Sequence, residues 1–460
     1  MRESGRYSRK RWTLLFGTFL PMLAVAQVIQ VKTIPVSTGD QFLLYPSDNL
    51  GMGGVSIATG DLCLDPFVNP AKGSRIKKTL LFGSPTYYAI TRDCGSAASF
   101  PFGFLTRSSR YFGGMHISLQ QMDAKPPFVE DDDGDLYEES NLYTYSTFGI
   151  GLPRIGSSLG LGLFYAKLSA IDGVDQLYAG RRIRQNGMMA DIRIGYLKEW
   201  ANHGTLEVLL LHNRSSMRHI FTYNEEKDQT VTWGMHLGYV SPLNQSGWRT
   251  GTIFTVNWKT HPKIPNYTLM NIPRDPGNTA AFNIGMGVSN ADEEGKFALD
   301  LIFEPVWTDT WAEAESWEEN ARDGISVDNK FRFMNFLCRA GFTEHHGAVD
   351  IQFGVQAKAI RYVLTQHDYI EESRRKQEEH WIEWTGTFGC HVNFSSLRIQ
   401  YVLRLVFGTG QPGVETGSPV WTGESAAAWD FIPAPSGALT NQKVIVHTHR
   451  ITLIVPLNHG

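Results

Sequence analysis

The chain has 460 residues, 19% of them charged and 12% aromatic, with 45 glycines and 12 tryptophans. That length holds either two or three soluble domains or one large barrel. The formal charge of -4 provides no basic footprint, so nucleic acid is not an expected partner.

The first 26 residues read as a secretory signal. Arg2, Arg6, Arg9, Lys10 and Arg11 form a basic region, a short apolar core runs from Leu14 to Leu23, and Ala24-Val25-Ala26 is an A-x-A cleavage site. The mature chain is expected to start at Gln27. No cysteine follows the cleavage site, so a lipoprotein anchor is not expected. Past this point no apolar run reaches the ~20 residues that a membrane-crossing helix needs. The mean hydropathy of -0.22 suits a barrel as well as a soluble protein, because lipid-facing and lumen-facing residues alternate along each strand.

Residues 27–78 are too short and glycine-rich for a domain of their own. The stretch from Phe42 to Lys72 reads FLLYPSDNLGMGGVSIATGDLCLDPFVNPAK, with Gly51, Gly53 and Gly54 ahead of Asp61, Asp65 and the tripeptide Asn69-Pro70-Ala71. Export makes a disulfide permissible. Of the four cysteines, Cys63 and Cys94 are nearest in sequence and form the candidate bridge, whereas Cys338 and Cys390 read as free thiols on strands.

From Thr79 onward one pattern repeats. Stretches of roughly ten to fourteen residues alternate apolar with small or polar side chains, and a turn follows each. Ala190, Ile192, Ile194 and Tyr196 oppose Asp191, Arg193 and Gly195; Val349, Ile351, Phe353 and Val355 oppose Asp350, Gln352 and Gly354. Strands this long cross a bilayer when tilted. Long polar connections, 122–142, 171–186, 214–229, 259–279, 309–329, 366–380 and 409–442, alternate with tight turns. Segregation of loop lengths onto two rims is how bacterial barrels are built. Residues 79–460 are therefore expected to form an all-β, transmembrane antiparallel barrel of about fourteen to sixteen strands, an even number that leaves both ends in the periplasm. The tryptophans near strand ends, Trp200, Trp248, Trp258, Trp307, Trp311, Trp381 and Trp384, fit interfacial girdles.

Few residues point to chemistry. There is no G-x-S-x-G elbow, so no catalytic residue is nominated and the chain is not expected to be an enzyme. The acidic run Glu130–Asp135 lacks EF-hand spacing and reads as a solvated loop, as does the mixed-charge segment 371–379 unless it forms a short helix. His345-His346 has no further ligand at a telling spacing, so neither a metal nor a cofactor is expected. Asp191, Arg193, His236, Asp300, Glu304, Arg398, Arg404 and Arg450 are assigned to the inward faces, where mixed charge in a wet lumen is ordinary.

The stretch 42–72 resembles the N-terminal signature of the PorV/PorQ group of outer-membrane barrels and of their relative, the long-chain fatty acid transporter FadL. Phe331–Glu344 (FRFMNFLCRAGFTE) and 386–404 resemble further strands of the same family. The resemblance implies an outer-membrane barrel of about fourteen strands, with residues 27–78 as a plug inside the lumen. Gly51, Gly53 and Gly54 would allow tight backbone turns. Asn69 would hydrogen-bond the backbone of a turn, and Pro70 would fix its φ. Cys63 and Leu64 stand where the family pattern is commonly polar. The implied role is that of a type IX secretion component, a shuttle receiving secreted proteins by their C-terminal sorting domains at its outer mouth, alongside other subunits of the secretion machinery. The alternative is a FadL-like channel taking up a hydrophobic small molecule, and a third reading is a structural barrel with adhesive loops.

Overall fold

The computed structural model describes residues 44–90, 96–124, 137–169, 184–220, 225–242, 244, 246–261, 277–313, 324–409 and 444–457. Within them the chain is a closed antiparallel β-barrel. The strands are β1 (Thr79–Gly83 with Thr86–Ile90), β2 (Ser96–Arg107), β3 (Tyr111–Ala124), β4 (Tyr137–Leu152), β5 (Ser157–Leu168), β6 (Arg184–Glu199), β7 (Thr205–Ile220) and β8 (Glu225–Val240). They continue as β9 (Trp248–His261), β10 (Gly277–Ala291), β11 (Gly295–Glu313), β12 (Ile325–His346), β13 (Val349–Asp368), β14 (Ser373–Asn393), β15 (Arg398–Thr409) and β16 (Val444–Leu457). Each pairs with the next.

The two pieces of β1 are one strand interrupted by Ser84-Pro85. Gly83 faces Leu453 and Thr86 faces Arg450 in a single unbroken register. Across the gap Ser84 N donates to Pro101 O at 2.8 Å and Ile451 N donates to Pro85 O at 3.0 Å. The 17 hydrogen-bonded segments therefore make 16 strands, and β1 pairs with both β16 and β2, which closes the sheet. Closure is what lipid demands, since no water is present to satisfy an open edge.

Alternation sets the two faces. Along β5 the leucines at 159, 161 and 163 are exposed, while Ser158, Gly160, Phe164 and Ala166 are buried. Phe100, Phe102, Ile192, Ile194, Met286, Phe336, Ile451 and Leu453 stand outside with them, and Asp191, Arg193, Asn213, Asp300, Gln352, Gln400 and Arg450 are buried inside. A soluble fold would reverse this arrangement. Oily outside and polar inside is the pattern of an outer-membrane barrel, and it places this chain in that membrane. Trp200, Trp248 and Tyr239 ring the short-turn end of the exposed belt, and Trp233, Trp258, Trp307 and Trp384 ring the other. Trp248 and Trp258 are about ten residues apart on β9, or ~25 Å at ordinary rise and tilt, which is the height of a hydrocarbon belt.

Both rims follow from turn chemistry. Tight turns join β2–β3, β4–β5, β6–β7, β8–β9, β10–β11, β12–β13 and β14–β15. At the tightest, Gly347 takes φ 65° between His346 and Val349, a left-handed conformation glycine adopts without strain. The longer connections emerge at the other rim, with two exceptions. The expected loops 214–229 and 366–380 are largely strand, paired out to Ile220↔Glu225 and Asp368↔Ser373. Above the oily belt both faces of a strand meet water, so the backbone ladder continues while apolar alternation stops. Segment 371–379 thus enters β14 from Ser373 onward, and Glu378 pairs with Arg361 of β13 at 2.5 Å.

If the outer face meets lipid, Ile194→Arg, at a position 54% exposed, is expected to cost about 2–4 kcal/mol. Equilibrium unfolding from phospholipid vesicles measures this. A soluble fold would tolerate the change within ~0.5 kcal/mol.

Candidate functional site

The segment Leu44–Lys78 lies inside the barrel, against the half of the wall nearest the tight turns. It has no sheet of its own. Its regular pieces are a 3-10 turn (Leu50–Met52), one helical turn (Asp65–Val68) and a 3-10 turn (Pro70–Arg75). Three kinds of interaction seat it.

The first is glycine packed against backbone. A Cβ on Gly51 would lie 2.8 Å from Gly389 Cα of β14. The backbone of Met52 and Gly53 occupies the space that side chains at Gly341 and Gly354 would fill. Ile57 fits against Gly251, Gly285 and Gly287, and the Asn69–Ala71 segment fits against Gly160 and Gly195. Gly53 and Gly54 have φ of 74° and 72°, so this turn also requires the left-handed region.

The second is hydrogen bonding from the wall to the plug backbone. Arg193, held by Asp191 at 2.9 Å, donates to Phe67 O at 2.9 Å. Arg339 donates to Gly54 O at 3.0 Å, and Arg450 to Tyr45 O at 2.7 Å. Asp300 accepts from Ser56 N at 2.7 Å, and Thr387 Oγ1 bridges Gly51 O and Gly53 N at 2.8 and 2.9 Å.

The third is ion pairing. Arg398 and Gln400 donate to Asp48 at 2.9 and 2.8 Å. Lys72 lies 3.0 Å from Glu207 and 3.6 Å from Asp65, and Arg75 lies 2.9 Å from Glu199. Burial works against charge on Lys72, but Asp65 and Glu207 outweigh it and raise the pKa above the usual lysine value.

The motif residues organise the plug itself. Asp61 is 2% exposed and accepts from Ser47 Oγ at 2.7 Å, Asn49 N at 3.2 Å, Cys63 N at 3.2 Å and Leu64 N at 3.0 Å. Asp65 in turn accepts from Asp61 N at 3.2 Å. Asn69, fully buried, caps the turn at Pro70 by accepting from Ala71 N at 3.2 Å, and it donates to Glu207 at 3.1 Å. Ala71 O accepts from Ser158 at 2.9 Å. Each motif residue is thus engaged in shaping or seating the plug.

Cys63 is buried, and its Sγ lies 3.7 Å from Asp48 Oδ1. Burial, with Asp48 and Asp61 nearby, pushes the thiol well above its ordinary pKa. Cys63 is a free thiol, as are Cys338 and Cys390, so the candidate Cys63–Cys94 bridge is not formed; Cys94 itself lies outside the described residues, as do residues 1–43 and the acidic run 130–135. His345 is paired with Asp350 at 2.7 Å.

Sequence reasoning placed Arg193, Asp300, Arg398 and Arg450 on the inner face but did not supply their partners. It missed Asp48, Glu207, Arg339 and Lys296, which donates to Asn49 Oδ1 at 2.8 Å, and it missed the receiving role of the strand glycines. The available signal was glycine recurring on inner-face positions in the lower halves of neighbouring strands.

Above the plug the inner wall changes character. Ala281, Val306, Phe331, Phe333, Ile360 and Leu364 form one buried apolar cluster on β10–β13. Phe164, Leu168, Met189 and Met217 on β5–β7 continue a second buried cluster that begins with Leu44, Tyr45, Cys63 and Phe67 of the plug.

No protein-family model and no curated protein matches the sequence. Among solved structures the chain is similar to the toluene transporter TodX of Pseudomonas putida, at 9% identity and a TM-score of 0.36 over 89% of this chain and 97% of that one. The CymD monoaromatic hydrocarbon channel gives 11% and 0.37 over 89% and 97%. The FrpB iron transporter of Neisseria meningitidis gives 7% and 0.39 over 86% and 84%. Likeness at this level carries no functional argument, and the fold stands on its own strand pairing.

Two outcomes follow from the seating. Gly341→Val sets a side chain against the Met52 backbone, so the barrel is expected to keep its heat-modifiable gel mobility while single-channel conductance in planar bilayers rises severalfold. Asp61 supplies a pH dependence. Burial, then Asp48 and Asp65, raise its carboxyl to about 7. The seated plug therefore holds a proton that the free segment has lost, so seating is strongest below the usual carboxylate range and weakens as pH rises through about 7. Conductance is expected to increase from pH 5.5 to pH 8, and Asp61→Ala should flatten that profile.

Proposed function

We propose that this chain is a plugged outer-membrane channel that takes up an apolar small molecule through its long-loop mouth, the FadL-like side of the resemblance. The observation that carries this reading is the division of the inner wall. Arg193, Asp300, Arg339, Arg398 and Arg450 are engaged by the plug, and above them Phe331, Phe333, Ile360 and Leu364 form an apolar patch of the inner wall. A largely apolar surface with few polar groups is what binds a hydrophobic ligand. Most of the polar residues that argue against such a ligand in the sequence lie where the plug covers them, and Glu304 pairs with Lys358 at 3.8 Å.

The experiment is binding of a neutral lipophilic fluorophore, N-phenylnaphthylamine, to detergent-purified protein. Phe333→Ala is expected to weaken it by roughly tenfold or more, the value of one buried aromatic ring. Binding unchanged in Phe333→Ala and in Leu364→Ala, with heat-modifiable mobility retained, would remove the reading.

A second reading is the type IX shuttle of the PorV/PorQ resemblance. It draws support from the height of one wall: β12, β13 and β14 run 22, 20 and 21 residues, against the ~9–11 that span a bilayer. They rise as a platform at the long-loop mouth. Affinity purification from native membranes tests it, with proteins bearing a C-terminal β-domain expected in the eluate.

A further inference from the structure

The lipid-facing side of β16 is apolar except at one place. Ile445, Ile451 and Leu453 are exposed on it, and Thr448, Arg450 and Thr452 are buried behind it. His447 and His449 share the exposed face by alternation, with Ile445 on their long-loop side and Ile451 on their tight-turn side. Their neighbours in register are Leu405 and Leu403 on β15, and Ala89 and Tyr87 on β1. Tyr87 is 46% exposed. Its ring lies 6.4 Å from that of His447, which lies 5.6 Å from that of His449. The Tyr401 hydroxyl of β15 meets His449 Nδ1 at 2.9 Å. Four polar side chains therefore stand together on the oily face, at the seam where β16 closes onto β1.

Hydrocarbon offers such groups no partner, and polar side chains exposed to it are costly. Tyr401 engages one nitrogen of His449, and whichever tautomer results, Nε2 is left over. Neither nitrogen of His447 nor the Tyr87 hydroxyl has a hydrogen-bond partner among the described residues; both side chains make ring contacts alone. The surface around them varies in height. Gly83, Ala89 and Ala98 form a low strip on β1 and β2, and beside it Phe100 and Phe102 protrude, 57% and 54% exposed. Small residues let two backbones approach closely in lipid.

We infer that this seam is the interface of a homodimer, in which a second copy of the chain covers the lipid face of β15, β16, β1 and β2. A two-fold axis normal to the membrane sets the phenylalanine ridge of each barrel against the low strip of the other. It also turns the tyrosine and histidine groups of the two copies toward each other. A neutral imidazole carries one donor and one acceptor, and a phenol serves as both. The patch is thus complementary to itself, which an isologous contact requires. The interface lies on the outside of the barrel and does not depend on what the lumen carries.

The test is sedimentation equilibrium of the full-length protein in density-matched detergent micelles, over a range of protein-to-detergent ratios. A reversible dimer is expected. Replacing both histidines, His447→Leu with His449→Leu, should weaken it about tenfold or more, the value of a few hydrogen bonds made in an apolar medium. Ala89→Trp fills the low strip and should weaken it as well. Ile192→Trp, on the lipid face of β6, should leave it unchanged. Heat-modifiable mobility is expected to persist in every variant, since each places an apolar side chain on the outer face. A seam covered by lipid or by a different protein gives a monomer at every ratio, which overturns the proposal. So does a dimer unchanged in both the double histidine variant and Ala89→Trp, or one weakened equally by Ile192→Trp.

Discussion

The whole arrangement depends on backbone hydrogen bonds that must close on themselves in lipid. A sheet in hydrocarbon has no water at its edges, so β1 pairs with both β2 and β16 even though Pro85 interrupts it. Closure then forces side chains to alternate between oil and lumen. The inner face collects polar groups that the outer face cannot carry, and those groups need partners of their own. Arg193, Arg339, Arg398 and Arg450 find them in the plug. The plug, with no sheet and only single helical turns, finds its structure in the wall. The plug is not a folding unit without the wall.

The lumen is consequently two environments stacked along one axis. Toward the tight turns, strand glycines and charges receive a backbone segment at close range. Toward the long connections, phenylalanine, leucine and methionine face inward. A uniform water-filled pore would need neither the glycine seats nor the apolar clusters. Their separation along the axis keeps inner charge and apolar wall apart in one barrel, since the plug's carbonyls and carboxylates satisfy Arg193, Arg339, Arg398 and Arg450.

The barrel was readable because its alternation is a property of single strands. Ile192 and Ile194 against Asp191 and Arg193 define a face without reference to any other strand, and the loop rhythm supplies the even count. What lay beyond reading were relations between distant residues. Asp48 meets Arg398 across 350 positions, and nothing local to DNLGMGG marks Gly341 and Gly354 as its seat. Segment 371–379 was misread for a related reason: charge on both faces describes a strand above the membrane as well as it describes a loop, and only pairing with β13 separates the two. The resemblance picked out Asn69, Pro70 and Ala71, and the geometry gives the reason, a capped turn that fits only against Gly160 and Gly195.

Plug retention is spread over many modest links. A half-exposed ion pair such as Arg75 with Glu199 contributes ~0–1 kcal/mol, and each neutral hydrogen bond to the plug backbone contributes about 0.5–1.5 kcal/mol. No single one of these holds the segment. The glycine seats act differently, because they limit which conformations reach the wall at all. A side chain added at a seat removes the docked geometry as a whole, whereas loss of one ion pair leaves the others in place. Sensitivity should therefore concentrate at positions without side chains. In this barrel the residues that determine whether the lumen is filled are those that present the least chemistry.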